Sequence, residues 1–142
     1  MTSALPDPST DFGARVSRRL ADELIAWLTV VDGVGTPQPA PIWILWDGES
    51  ALIYSLASAK RLEHLRARPR ATLHFDGNGQ GGDIVVLAGE IVDAPEAPPA
   101  PDNPAYLDKY GELIKGGWGT PEKFGSQYSV PLRFTPRRVR GH

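Results

Sequence analysis

The chain has no cysteine. That excludes disulfides, thiolate metal sites and a cysteine nucleophile together. Its three histidines, His64, His74 and His142, form no H-E-x-x-H pair, and zinc would need distant carboxylates to converge, so no metal is expected. No G-x-S-x-G elbow is present, which leaves serine hydrolase chemistry without support. The 17 acidic residues are scattered, and none pair for acid–base work. No apolar run reaches the length of a membrane span, and "MTSALPDPSTDFGARVSRRL" lacks a signal-type apolar core. A cytoplasmic protein with no membrane partner is the expectation. The net charge of −2 gives no reason to expect nucleic acid.

What is present reads as one globular domain over residues 1–142: 41% hydrophobic and 23% charged residues are ordinary proportions for a packed core. Residues 1–10, with Pro6 and Pro8, form an extended arm. Ser9, Thr10 or Asp11 then caps a helix to about Glu23, with Val16, Leu20 and Ala21 on one side. "ELIAWLTVVDG" is β-branched and aromatic, hence a strand. In "PQPAPIWILWDGESALIYSLAS" two apolar runs flank Asp47-Gly48, a tight-turn pair. Pro39 and Pro41 place the first run at a sheet edge or bulge. A helix over residues 59–67 stops at Pro69, followed by strands "RATLHF" and "GDIVVLAGEIVDA". Residues 95–104 are a Pro-rich connector, helices follow over about 104–114 and 120–127, and "YSVPLRFTPRRVRGH" closes as a strand. Six strands with short helices predict a mainly β (α+β) fold, a small barrel with helices outside.

"GNGQGG" satisfies G-x-G-x-x-G, but a β pattern follows it instead of the helix that receives a pyrophosphate. It reads as a hairpin loop. The start of the 59–67 helix is more informative. With Ser58 as N-cap, Lys60 and Arg61 fall in the first turn, where cations oppose the helix dipole and where Glu or Gln is expected. Leu62 and Leu65 face the core. An anion held there would meet backbone N–H groups, the Ser58 hydroxyl and the Lys60 ammonium. Arg66, Arg68 and Arg70 read as solvated surface.

Over nearly its whole length the chain resembles the split β-barrels related to pyridoxamine 5′-phosphate oxidase, in particular the actinobacterial deazaflavin (coenzyme F420) branch. "TPQPAPIWILWDGESALIYSLASAKRLEHLRARPRATLHFDG" and the ending "TPRRVRGH" carry the resemblance. It implies a six-stranded split barrel and a homodimer with a cofactor in each groove between subunits. It implies that Tyr54, Ser55, Ser58 and Lys60, with Arg61 added, belong to the segment holding the cofactor phosphate. Pro41, Ile42 and Trp43 match the strand beside the ring system. Flavin-binding members carry Arg-Lys at the helix start, whereas here the order is Lys60-Arg61, and no pyridoxal-phosphate site maps onto the chain.

The function that follows from the resemblance is an F420-dependent oxidoreductase passing a hydride to a small organic substrate. An FMN-dependent oxidase or reductase and a non-catalytic F420 carrier are the alternatives. No catalytic residue is singled out: water, Tyr54 or His142 is left to supply the proton.

Overall fold

The computed structural model describes residues 4–142. Its order is α1 (Asp11–Asp22), β1 (Ala26–Val31), β2 (Pro37–Ile42), β3 (Leu45–Trp46), β4 (Ala51–Ser55), α2 (Arg61–Ala67), β5 (Arg70–His74), β6 (Val85–Asp93), α3 (Pro104–Gly117), α4 (Pro121–Gln127) and β7 (Val130–Gly141). The strands form one antiparallel sheet in the order β2-β1-β5-β6-β7-β4-β3. It curls into a half-barrel with helices around it. Among the described residues the strand count is seven, not the expected six, because the run from Pro37 to Trp46 breaks at Trp43-Ile44.

That break organises the fold. β2 and β3 are the two opposite edges of the sheet, yet only two residues join them. The curled sheet therefore brings its edges together at Trp43-Ile44, where neither residue has a strand partner. Side chains of α3 supply the bonds instead. The Ile44 N–H donates to the Tyr110 hydroxyl at 2.9 Å, and Lys109 Nζ donates to the Ile44 carbonyl at 2.8 Å. The Tyr110 oxygen also lies 2.8 Å from the Leu24 carbonyl and 3.0 Å from that of Ile44, so its single proton serves one at a time. Burial lowers the Lys109 pKa and raises that of Tyr110. Tyr110→Phe leaves the buried Ile44 N–H without an acceptor and is expected to cost about 1–3 kcal/mol. Thermal unfolding followed by circular dichroism should show the midpoint falling by roughly 3–10 °C.

β4 is buried at every position because it separates two cores. Ala51 and Ile53 face the barrel interior with Leu28, Leu73, Leu87, Leu132 and Phe134, and with Val16 and Leu20 of α1 and Leu62 and Leu65 of α2. Leu52 and Tyr54 face a second core built with Tyr106, Tyr110 and Ile114 of α3 and Phe124 of α4. Between β6 and β7 a register shift at Ala88/Gly89 bends the sheet. A Cβ on Gly89 would stand 2.1 Å from the Thr135 carbonyl oxygen, so only glycine lets these backbones approach.

Other expectations need adjustment. Thr10 is the cap of α1, accepting from the Gly13 N–H, and Ala21 is exposed. Of the expected arm, residues 1–3 lie outside the described residues. Residues 4–10 turn back on themselves, with Thr10 donating twice to the Asp7 carbonyl and Leu5 against the core. Asp47-Gly48 opens a four-residue loop in which Asp47 accepts from the N–H groups of Glu49 and Ser50. The Pro-rich segment contains a short 3-10 turn, Ala100–Asp102. The "GNGQGG" stretch is a loop between β5 and β6, with positive φ at Gly79 and Gly81.

Candidate functional site

After β4 the chain turns through Leu56 to Ala59, and α2 begins at Arg61 with Lys60, not Ser58, as N-cap. Lys60 already has helical dihedrals, and the N–H groups of Leu62 and Glu63 bond the carbonyls three residues back. A Ser58 cap would accept from the N–H of Lys60 or Arg61, and no such bond forms among the described residues. Ser58 is exposed and makes no side-chain hydrogen bond among the described residues. The charge at this helix start therefore rests on Lys60 and Arg61 themselves.

Those two side chains, with His64, form one wall of a groove of about 320 Å³. Leu28 and Val30 of β1 and Gln38, Pro39 and Ala40 of β2 form the rest. The lining has two cations, an imidazole and no carboxylate. Pro37, Pro39 and Pro41 alternate along the edge strand, so their missing N–H groups all fall on the side away from β1. The groove is thus bounded by a strand edge that cannot take up another strand by donating hydrogen bonds from those positions.

Arg61 is the unusual member. Arg15, Arg19, Arg66, Arg133 and Arg137 each hold a carboxylate. Arg68 donates to the Val31 carbonyl, and Arg18, Arg70, Arg138 and Arg140 are exposed. Arg61 is half-buried, yet among the described residues it has neither an ion pair nor a hydrogen bond. Burial lowers its pKa, with Tyr128 acting in the opposite direction. A guanidinium does not lose its proton in response, so this is a partly desolvated cation with no counter-charge, an arrangement that an incoming anion relieves.

Arg61 also lines a second cavity, of about 190 Å³, beside the strand break. Its walls are Pro41, Ile42, Trp43, Tyr54 and Leu56 with Tyr106, Trp118, Phe124 and Tyr128. Trp43 stacks on Tyr110 at 4.5 Å and Phe124 at 5.5 Å, and Phe124 stacks on Tyr128 at 4.7 Å. Trp118 meets Trp43, Phe124 and Tyr128 edge-on. Two polar groups of the wall are occupied: the Tyr54 hydroxyl donates to the Pro98 carbonyl at 2.5 Å and accepts from Asn103 Nδ2 at 3.1 Å, and Trp118 Nε1 donates to Gln127. Burial raises the Tyr54 pKa.

The residues expected at a cofactor site divide accordingly. Lys60 and Arg61 line the groove, while Pro41, Ile42, Trp43 and Tyr54 line the aromatic cavity that Arg61 shares. Ser58 and Ser55 line neither, and the buried Ser55 hydroxyl donates to the Leu56 carbonyl at 3.1 Å. Tyr54 has its proton committed to Pro98, and His142 sits beside the Gly81 carbonyl, away from both cavities. Tyr106, Trp118, Phe124 and Tyr128 were missed. Their signal was the crowding of all four tyrosines of the chain into Tyr54 and the two C-terminal helical segments. Among the described residues no three metal-ligating side chains converge, and no helix is long and apolar enough to cross a membrane.

The pyridoxamine 5′-phosphate oxidase family profile matches residues 12–142. This chain belongs to that family. Solved structures share the fold at low identity. An F420 reductase has a TM-score of 0.63 at 20% identity, over 85% of this chain and 92% of that one. The heme storage protein HutZ from Vibrio cholerae has 0.63 at 8%, over 93% and 95%. An FAD-binding protein from Mesorhizobium loti has 0.57 at 20%, over 89% and 88%. No relative was found among curated proteins.

Proposed function

We propose that this family member binds the deazaflavin coenzyme F420 in the groove between β2 and α2 and acts as an F420-dependent oxidoreductase. The observation that carries the reading is Arg61, a half-buried cation that among the described residues has no partner, in a groove whose described lining offers Lys60 and His64 and no carboxylate. A phosphate-bearing cofactor fits that donor set. The similarity to an F420 reductase is what suggests the deazaflavin, and the FAD-binding neighbour of equal identity keeps other flavin-type groups as the alternative.

In this reading Lys60 and Arg61 hold the phosphate. Leu28, Val30 and Ala40 give the groove its apolar floor and exclude water along the cofactor. Reduced F420, when bound, supplies a hydride to an electron-poor C=C or C=N bond. The protein contributes position and charge compensation, and water supplies the proton, since Tyr54 is committed elsewhere.

Titration with F420 and with FMN in parallel, followed by cofactor fluorescence, tests the reading. Tighter F420 binding and F420-dependent turnover of an activated alkene are expected. FMN that co-purifies and resists displacement makes the protein an FMN-dependent oxidase or reductase instead. Tight F420 binding without turnover makes it a carrier.

The proposal extends to a homodimer, because the groove is lined by β2, an edge strand of the sheet. On the other face of the sheet, Thr29, Val31 and Ala88 line an open depression of about 710 Å³ together with the charged Arg70, Glu90, Arg137 and Arg138. Sedimentation velocity at micromolar concentration should show a dimer. A stable monomer that still holds its cofactor overturns this part.

A further inference from the structure

The aromatic cavity contains polar groups that the fold does not use. Tyr106 is 1% exposed, and its hydroxyl has no hydrogen-bond partner among the described residues. No buried side-chain oxygen or nitrogen among those residues lacks a partner, so this hydroxyl must reach the open space of the cavity that Tyr106 lines. The Tyr128 hydroxyl is likewise without a partner, and so is Arg61. Each of the three presents a proton, and Arg61 adds a positive charge. No acidic side chain among the described residues lines the cavity.

Size narrows the occupant further. At about 190 Å³ the cavity is well below the roughly 300–1,000 Å³ of sites for drug-sized ligands. It is slightly larger than the roughly 150 Å³ apolar cavity that takes benzene. Aromatic side chains make up most of its wall, among them Trp43, Trp118, Phe124 and Tyr128, which favours a flat ring over an aliphatic chain.

We propose that this cavity binds the substrate and that the substrate is a single-ring aromatic carboxylate, its ring among these side chains and its carboxylate at Arg61. The hydroxyls of Tyr106 and Tyr128 donate to its oxygens. The assignment as substrate rests on the cofactor groove proposed above, because Arg61 is the wall common to the two cavities and would set the carboxylate beside the cofactor. With five N–H groups a guanidinium can serve both anions.

Calorimetric titration of the cofactor-free protein with trans-cinnamate tests the cavity by itself. Cinnamate should bind at least tenfold more tightly than neutral cinnamamide and than the ring-free anion hexanoate. Arg61→Leu should remove the preference over the amide. Tyr106→Phe should weaken cinnamate several-fold without lowering the unfolding temperature, since it deletes a hydroxyl with no partner in the fold. Leu56→Trp places a bulky ring in the mouth from a partly exposed position and should abolish cinnamate binding while F420 affinity stays within twofold. Equal binding of acid and amide, or undiminished binding by Leu56→Trp, overturns the proposal. So does strict competition between cinnamate and F420, which would make the cavity part of the cofactor site and leave the oxidoreductase reading standing. Cinnamate binding with no cofactor binding would instead remove the cofactor reading and with it the substrate role.

Discussion

Phe124→Ala is expected to destabilise the protein by about 3–5 kcal/mol, the range for deleting a buried aromatic ring. Phe124 is 2% exposed and sits in the middle of the second core. It stacks on Trp43 and Tyr128 and meets Trp118 edge-on at 5.0 Å, and Tyr106 lies at 6.0 Å. Each well-placed ring pair adds about 0.5–1.5 kcal/mol beyond burial, so the loss should fall in the upper part of the range. α4 has seven residues, too few to be helical alone, and Phe124 is its only buried side chain. Urea unfolding followed separately by near-ultraviolet and far-ultraviolet circular dichroism is the measurement. The near-ultraviolet signal of the tryptophans should fade first if α4 detaches before the sheet unfolds. A loss below about 1 kcal/mol would mean that the two helices rest loosely on β4 and that the aromatic cavity is not a fixed feature.

β4 also shows what was legible in the sequence. "ALIYS" lacks the alternation of a half-buried strand, and the fold explains why: its odd-numbered and even-numbered positions face different cores. Pro39 and Pro41 of β2 narrowed this run to an edge or a bulge from local chemistry alone, and it is an edge. The division of Pro37–Trp46 into two opposite edges was not readable, because it depends on curling of the whole sheet and on Tyr110, 66 residues away in sequence. Lys60 and Arg61 stood out because cations at a helix start oppose the dipole. The serine cap was misplaced because a serine near a helix start looks the same whether its hydroxyl caps the helix or the chain enters the helix two residues later through a tight backbone turn. The aromatics of α3 and α4 were visible as residues in helices. Their convergence on Trp43 and Arg61 is tertiary, so no local pattern could show it.

Arg61→Ala should weaken F420 or FMN binding by about 1.5–3 kcal/mol, the value of a hydrogen bond to a charged group, or about tenfold to 150-fold in Kd. Lys60→Ala should lose less, about 0.2–1 kcal/mol, because its ammonium is exposed and screened by water and salt. The sign of the stability change separates these variants from ordinary damage. Arg61 is partly desolvated without a counter-charge in the cofactor-free protein, so its removal should leave the unfolding midpoint unchanged or raise it. Ser58→Ala should alter neither affinity nor stability, since its hydroxyl caps nothing. Arg18, exposed on α1 and without a partner among the described residues, is the control for general electrostatics. All variants should be titrated with one cofactor at one ionic strength near 0.15 M, where exposed charges beyond about 8 Å are largely screened. Equal losses from Arg18→Ala and Arg61→Ala would mean that the cofactor responds only to overall charge. A destabilised Arg61→Ala protein would show that the guanidinium has a structural partner, and the groove would lose the feature that marks it as an anion site.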